Sequence, residues 1–170
     1  VEYKTGIFSH SINKEMGKFS FYKTKNIGND PNYDSSEPYK QELVNIVNEY
    51  SIPLVIDLHL MREDRPNLIE LGTGRGENIK NNPDLALETA LFFKRHLNGG
   101  VAIDELFPAV HPYTVSSYIS RECSIDCLQL EINKGLILSE EGFTSFHLLF
   151  EEYILFLLTT FFPNQIKQIC

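Results

Sequence analysis

The fold this sequence predicts is an α/β sandwich, with helices covering both faces of a mostly parallel sheet. Three observations predict it. The segment Ile52–Leu60, IPLVIDLHL, is largely apolar on both alternating sets of positions, as in a strand sheathed by helices on two sides. The stretch just before it is amphipathic, with Leu43, Ile46, Val47 and Tyr50 at i, i+3, i+4 and i+7. Helical and strand-like segments then alternate along the chain.

Each element follows from its own pattern. Phe8, Ile12 and Met16 recur every fourth residue and predict a helix over Thr5–Gly17, with Gly17 placed to end it. Phe19–Lys25 reads as a short strand. Asn26–Pro38, dense in Asn, Asp, Gly, Ser and Pro, reads as a loop. Ser35 or Ser36 then caps the amphipathic helix, about Tyr39–Tyr50. After the Ile52–Leu60 strand, a second is expected near Asn67–Leu71, followed by the loop GTGRGENIKNN. Asn82 and Pro83 suit the N-cap and first position of a helix that runs to about Leu97 and stops before Gly99 and Gly100. Strands are expected near Thr114–Ile119 and Cys127–Ile132, and a long helix from Thr144 to Phe161, halted by Pro163. No repeat, low-complexity tract or linker interrupts the chain, so residues 1–170 read as one domain.

Composition narrows the function classes. A chain of 170 residues has room for a sizeable core. Its formal charge of −8 and the lack of a dense Lys/Arg stripe argue against a nucleic-acid partner. The apolar run Tyr153–Phe162 is ten residues, about half of what a membrane span needs, so no membrane partner is expected. Three cysteines, Cys123, Cys127 and Cys170, do not make a secreted disulfide framework, and a cytoplasmic protein with free thiols is the expectation. The chain starts at Val1 without an initiator methionine, which points to a missing upstream segment.

Polar residues stand where strands end. Asp57 and His59 lie two apart and so on one face of their strand. Ligands of open α/β sheets sit at the carboxyl ends of strands. Alone, His59 reads by default as a core histidine satisfied by a neighbour. Gln129, Glu131 and Asn133 share one face of DCLQLEIN, which is costly on a dry central strand. That face therefore lines a wet cleft, or the strand is an edge strand with a solvated side. Arg75 in GTGRG and Arg121 in SYISREC are suited to gripping carboxylates, or are surface charges. GTGRGEN is neither a P-loop nor a dinucleotide fingerprint. His147 and Glu151 are four apart on the last helix, a spacing that could hold a metal, but that helix is so apolar that a buried hydrogen bond is the reading favoured.

Taken together, VIDLHLMREDRPNLIELGTGRGENI and YISRECSIDCLQLEINKGL resemble the N-formylglutamate amidohydrolase family, whose fold is similar to that of zinc carboxypeptidases. YKTKNIGNDPNYDSSEPYKQELV resembles the segment preceding DLH in a bacterial subgroup of that family. DLH followed about seventy residues later by LQLEIN carries most of the likeness, which spans Glu2 to about Glu140.

The resemblance implies a three-layer sandwich with a mixed sheet and a set of roles. His59 matches a zinc-binding histidine, and Glu2 stands where a second ligand carboxylate is expected. Glu131 matches the glutamate that activates the attacking water. Arg75 and Arg121 would bind a substrate carboxylate or oxyanion, with Asn133 shaping the same pocket. Asp57 would orient a ligand from behind. The implied reaction is zinc-dependent hydrolysis of an amide in a small N-acyl amino acid or peptide-like substrate. The family's first zinc ligand, a histidine in a PH segment, has no counterpart in this sequence. Two ligands fall short of the three such a zinc needs, so the chain either lacks an upstream piece or has lost its metal. The alternative reading is a metal-free, inactive relative that binds a carboxylate-bearing amino acid or peptide.

Overall fold

A computed structural model describes Phe21, Asn32, Tyr33 and residues 38–163. The expected helix Thr5–Gly17, the strand Phe19–Lys25, the capping serines Ser35 and Ser36, and Glu2 lie outside the described residues.

Among the described residues, four α-helices and four strands form an α/β fold: α1 (Pro38–Glu49), β1 (Leu54–Met61), β2 (Asn67–Gly72), α2 (Leu85–His96), β3 (Gly100–Ile103), α3 (Val115–Cys123), β4 (Asp126–Asn133) and α4 (Glu140–Phe161). The sheet order is β1-β4-β2-β3. β1 runs parallel to β4, and β2 parallel to β3, whereas β2 and β4 are antiparallel. The sheet is therefore mixed and mostly parallel, as the sequence predicts. No helix among the described residues is long and apolar enough to cross a membrane.

The two faces of the sheet differ in chemistry. On one face Ile56, Leu58 and Leu60 stand beside Leu128, Leu130 and Ile132, and these beside Ile69 and Leu71. That face packs on Phe92 and Phe93 of α2 and on Phe146, Phe150, Tyr153 and Leu157 of α4. The spacing 146, 150, 153, 157 places one stripe of α4 against the sheet. The Tyr153 hydroxyl meets Thr89 Oγ1 of α2 at 3.1 Å, which satisfies both buried groups. On the other face, Leu43 and Val47 of α1 and Val115 and Ile119 of α3 pack over Val55 and Cys127, forming a second, smaller core.

Several elements differ from expectation for identifiable reasons. Thr114–Ile119 is not a strand: residues 115–123 are helical. Thr114 caps that helix, its hydroxyl accepting from Ser117 N at 3.3 Å, and Val115 and Ile119, four apart, bury one stripe. The β-branched residues of this segment hide a helical period in a strand-like composition. β3 is a four-residue strand that begins at the second glycine of the pair expected only to stop a helix. α4 starts earlier than Thr144, because Ser139 Oγ accepts from Gly142 N at 3.0 Å and Glu140 and Glu141 complement the positive helix end. Asn82 does not cap α2; its amide donates to Asp126 Oδ2 at 2.6 Å and ties the helix entry to the start of β4. Cys123 and Cys127 are both free, but Cys123 closes α3 and only Cys127 is on a strand.

Burial pushes the hydroxyls of Tyr153 and Tyr39 well above the ordinary tyrosine value of 10.0. Both must stay neutral in the fold, whereas the unfolded chain ionises them above pH 10. Their contribution is complete below pH 10 and falls away as pH rises further. The thermal midpoint is expected to drop steadily above pH 10. Tyr153→Phe should flatten that drop, at the cost of the hydrogen bond with Thr89.

Candidate functional site

The polar residues collect on the sheet face that carries α1 and α3. The register sets His59 of β1 beside Glu131 of β4, and Glu131 beside Glu70 of β2. Residues paired across neighbouring strands point to the same side. His59, Glu131 and Glu70 therefore form one row across three strands. One step along, Asp57, Gln129 and Gly72 form the next. β4 is central and buried along its whole length, so its polar face is not that of a solvated edge strand.

Exposure grades along the first row. Glu70 is 0% exposed, Glu131 6%, and the His59 side chain 16%. Access to Glu131 is thus from the β1 side. On the β2 side a crossing segment closes the face. It leaves β3 at Ile103 and passes over β2, where Leu106 N and Phe107 N both donate to Glu70 Oε1, the second at 2.6 Å. Phe107 O takes a long hydrogen bond from Gln129 Nε2 at 3.5 Å. Gly72 permits this close passage, since a Cβ there would stand 2.4 Å from Phe107 O. Glu70 Oε2 is buried without a hydrogen-bond partner.

Each acid in the two rows has a defined setting. Asp57 Oδ1 lies 3.1 Å from His59 Nε2, and Asp57 Oδ2 accepts from Ser116 Oγ of α3 at 3.0 Å. Burial alone would raise the Asp57 carboxyl, but His59 and the Ser116 hydroxyl and amide outweigh it and hold the group below the ordinary carboxylate value. Asp57 is then charged at neutral pH, so Nε2 of His59 carries the proton between them. Asp57 thus fixes the orientation of the His59 ring. Glu131 Oε1 accepts from Gln129 Nε2 at 3.2 Å.

The other expected residues are placed differently. Asn133 is committed to the backbone: Nδ2 faces the carbonyls of Glu63, Arg65 and Asn67 at 3.4, 3.3 and 3.1 Å, and Oδ1 accepts from Gly135 N at 2.9 Å. Both donors are used, so it pins the β1–β2 loop and has none left for a substrate. Arg121 is exposed at the end of α3, held by Glu122 at 3.1 Å, by Pro112 O at 3.3 Å and over the Tyr118 ring at 5.4 Å. None of these contacts reaches the polar rows. Arg75 is exposed at the tip of a loop in which Gly74, Arg75 and Gly76 all have positive φ, at 64°, 56° and 91°. For an arginine that backbone is strained. Thr73 ties the loop to Asp104 through Oγ1 at 2.5 Å, and Gly74 N donates to Pro108 O at 2.7 Å, so loop and crossing segment are braced together. His147 Nδ1 and Glu151 Oε1 are 3.7 Å apart on α4, beyond hydrogen-bond length.

Sequence reasoning missed Glu70 and Ser116. A charged residue inside NLIELG was a usable signal for the first. Ser116 was hidden because its segment reads as a strand, and only a helix turns it toward Asp57.

The Asp57–His59 pair is of the kind that orients metal-binding histidines. Among the described residues, however, no group of three His, Cys, Asp or Glu is arranged to hold a metal ion. A catalytic zinc needs three protein ligands. The described residues by themselves do not fit zinc, and no step below runs through a metal. Two surface hollows, of about 490 and 320 Å³, are lined by residues outside the rows, the second by Arg62, Glu63, Asp64, Lys134 and Leu138. Comparison of the chain with protein-family models, with curated proteins and with solved structures found no match.

Proposed function

We propose that the chain hydrolyses an amide bond in a small N-acyl amino acid or peptide-like substrate, with Glu131 as the base that takes a proton from the attacking water. The observation that carries this reading is the row His59–Glu131–Glu70, which sets an oriented imidazole beside a nearly buried carboxylate at the accessible edge of an otherwise closed face. Gln129 holds Glu131 through Oε1, which fixes the carboxylate that is to receive the water's proton. The proton then passes to the leaving amine, so the carboxylate ends the cycle as it began. When protonated, His59, fixed by Asp57, donates from its other ring nitrogen, Nδ1, to the carbonyl oxygen as negative charge develops there.

The test is release of free amine from N-formyl and N-acetyl amino acids by the intact protein, in chelator and with added zinc. Turnover in either arm that Glu131→Gln abolishes supports the reading. A protein inert in both arms overturns it, and binding of N-acyl amino acids without turnover would favour the alternative, a carboxylate-binding relative.

A further inference from the structure

We propose that Ser116 is the positioning residue for His59, acting through Asp57 from the first turn of α3; its part in turnover rests on the proposed amide hydrolysis. α3 begins at Val115, so Ser116 is its second residue. The first amides of a helix have no partner within it, and three of them are met here by side chains. Val115 N donates to Asn32 Oδ1 at 3.0 Å, Ser117 N to Thr114 Oγ1 at 3.3 Å, and Ser116 N to the Asp57 carboxylate. The Ser116 hydroxyl adds a second bond to that carboxylate, at 3.0 Å from Oδ2. Asp57 is thus gripped by two donors of one residue, at the positive end of a helix. Its other oxygen, Oδ1, lies 3.1 Å from His59 Nε2.

The Asp57 carboxylate needs this grip because its own strand does not enclose it. β1 ends the sheet order, and the side chains of Asp57 and His59 stay partly open to solvent. A carboxylate there is free to turn outward into water unless something holds it from within. Ser116 is fully buried on the inner side. The helix start that carries it is itself anchored, since Ser117 Oγ donates to Ala109 O at 2.6 Å and Lys40 Nζ to Tyr113 O at 2.8 Å. The Ser116 hydroxyl also bonds the Cys127 thiol of β4. Burial and the Asp57 charge push that thiol well above the ordinary cysteine range, so it stays neutral and does not compete with Asp57 for the Ser116 proton. Loss of the hydroxyl would leave Asp57 its bond to the Ser116 amide but free its plane to rotate. The imidazole then loses its fixed orientation toward the reacting carbonyl.

The experiment compares wild type with Ser116→Ala and Ser117→Ala. Alanine suits a helix, so both variants should fold. Ser117 is the structural control: it is the next residue of α3, and its hydroxyl is spent on Ala109 O at 2.6 Å and Asn78 Oδ1 at 3.2 Å. With N-formyl-leucine as probe, Ser116→Ala should lower kcat about 10-fold with KM unchanged, and Ser117→Ala should leave both as in wild type. A second readout needs no turnover. The nitrogen chemical shifts of the His59 ring are read through its carbon-bound protons at one pH above the histidine range. Wild type should show a single tautomer with Nε2 protonated. Ser116→Ala should draw the two nitrogen shifts together as the ring samples both tautomers, and Ser117→Ala should keep the wild-type pattern. If wild type is inert on the probe but the ring signature still follows Ser116, the hydrolase reading fails and the positioning of His59 by Ser116 stands. A wild-type ring that already averages, an unchanged ring in Ser116→Ala, the same change in Ser117→Ala, or an active Ser116→Ala with wild-type kcat would overturn the assignment.

Discussion

Glu131→Gln is expected to lower kcat by about 10²- to 10⁴-fold while leaving KM and the thermal midpoint close to wild type. The change keeps the side chain's volume and the Oε1 atom that accepts from Gln129, so the row keeps its packing. It removes the capacity to take a proton from water. Loss confined to kcat is the signature of an interaction made in the transition state and not in the ground state. A parallel rise in KM, or a large drop in stability, would mean that Glu131 holds the site together instead of working in it.

Glu70→Leu is expected to cost about 3–5 kcal/mol of stability, the largest effect of any single substitution at this face. Glu70 Oε1 is the acceptor for two backbone amides, Leu106 N and Phe107 N, and leucine offers neither of them a partner. Each buried donor left unsatisfied costs about 1–3 kcal/mol. The crossing segment should lift from β2, which admits water beside Glu131. Glu70→Gln separates the two consequences, because its amide oxygen still accepts from both N–H groups. That variant should stay within about 1 kcal/mol of wild type. Urea unfolding of the three proteins decides the matter: equal stability of the leucine and glutamine variants would show that the crossing segment is held by something other than Glu70.

The fold and half of the row are legible in the sequence. Alternation along LQLEIN puts Glu131 on the face opposite Leu128, Leu130 and Ile132, and two-residue spacing does the same for Asp57 and His59. Local pattern does not reveal which strands become neighbours. The pairing of Glu131 with Glu70 depends on an antiparallel register between segments about sixty residues apart, and no periodicity encodes that. The backbone contacts of Asn133 are illegible for a related reason. A polar residue ending a strand looks the same whether its amide faces a ligand or, as here, the carbonyls of a crossing loop. Arg121 is drawn off the site by its immediate neighbour Glu122, an interaction too common at surfaces to be predicted.

A double-mutant cycle between His59 and Glu131 tests the central claim most directly. If the imidazole and the carboxylate act as one unit on a single water and carbonyl, kcat/KM of His59→Ala/Glu131→Gln should be no lower than that of the worse single variant. Losses that multiply would show two groups working independently and contradict the account.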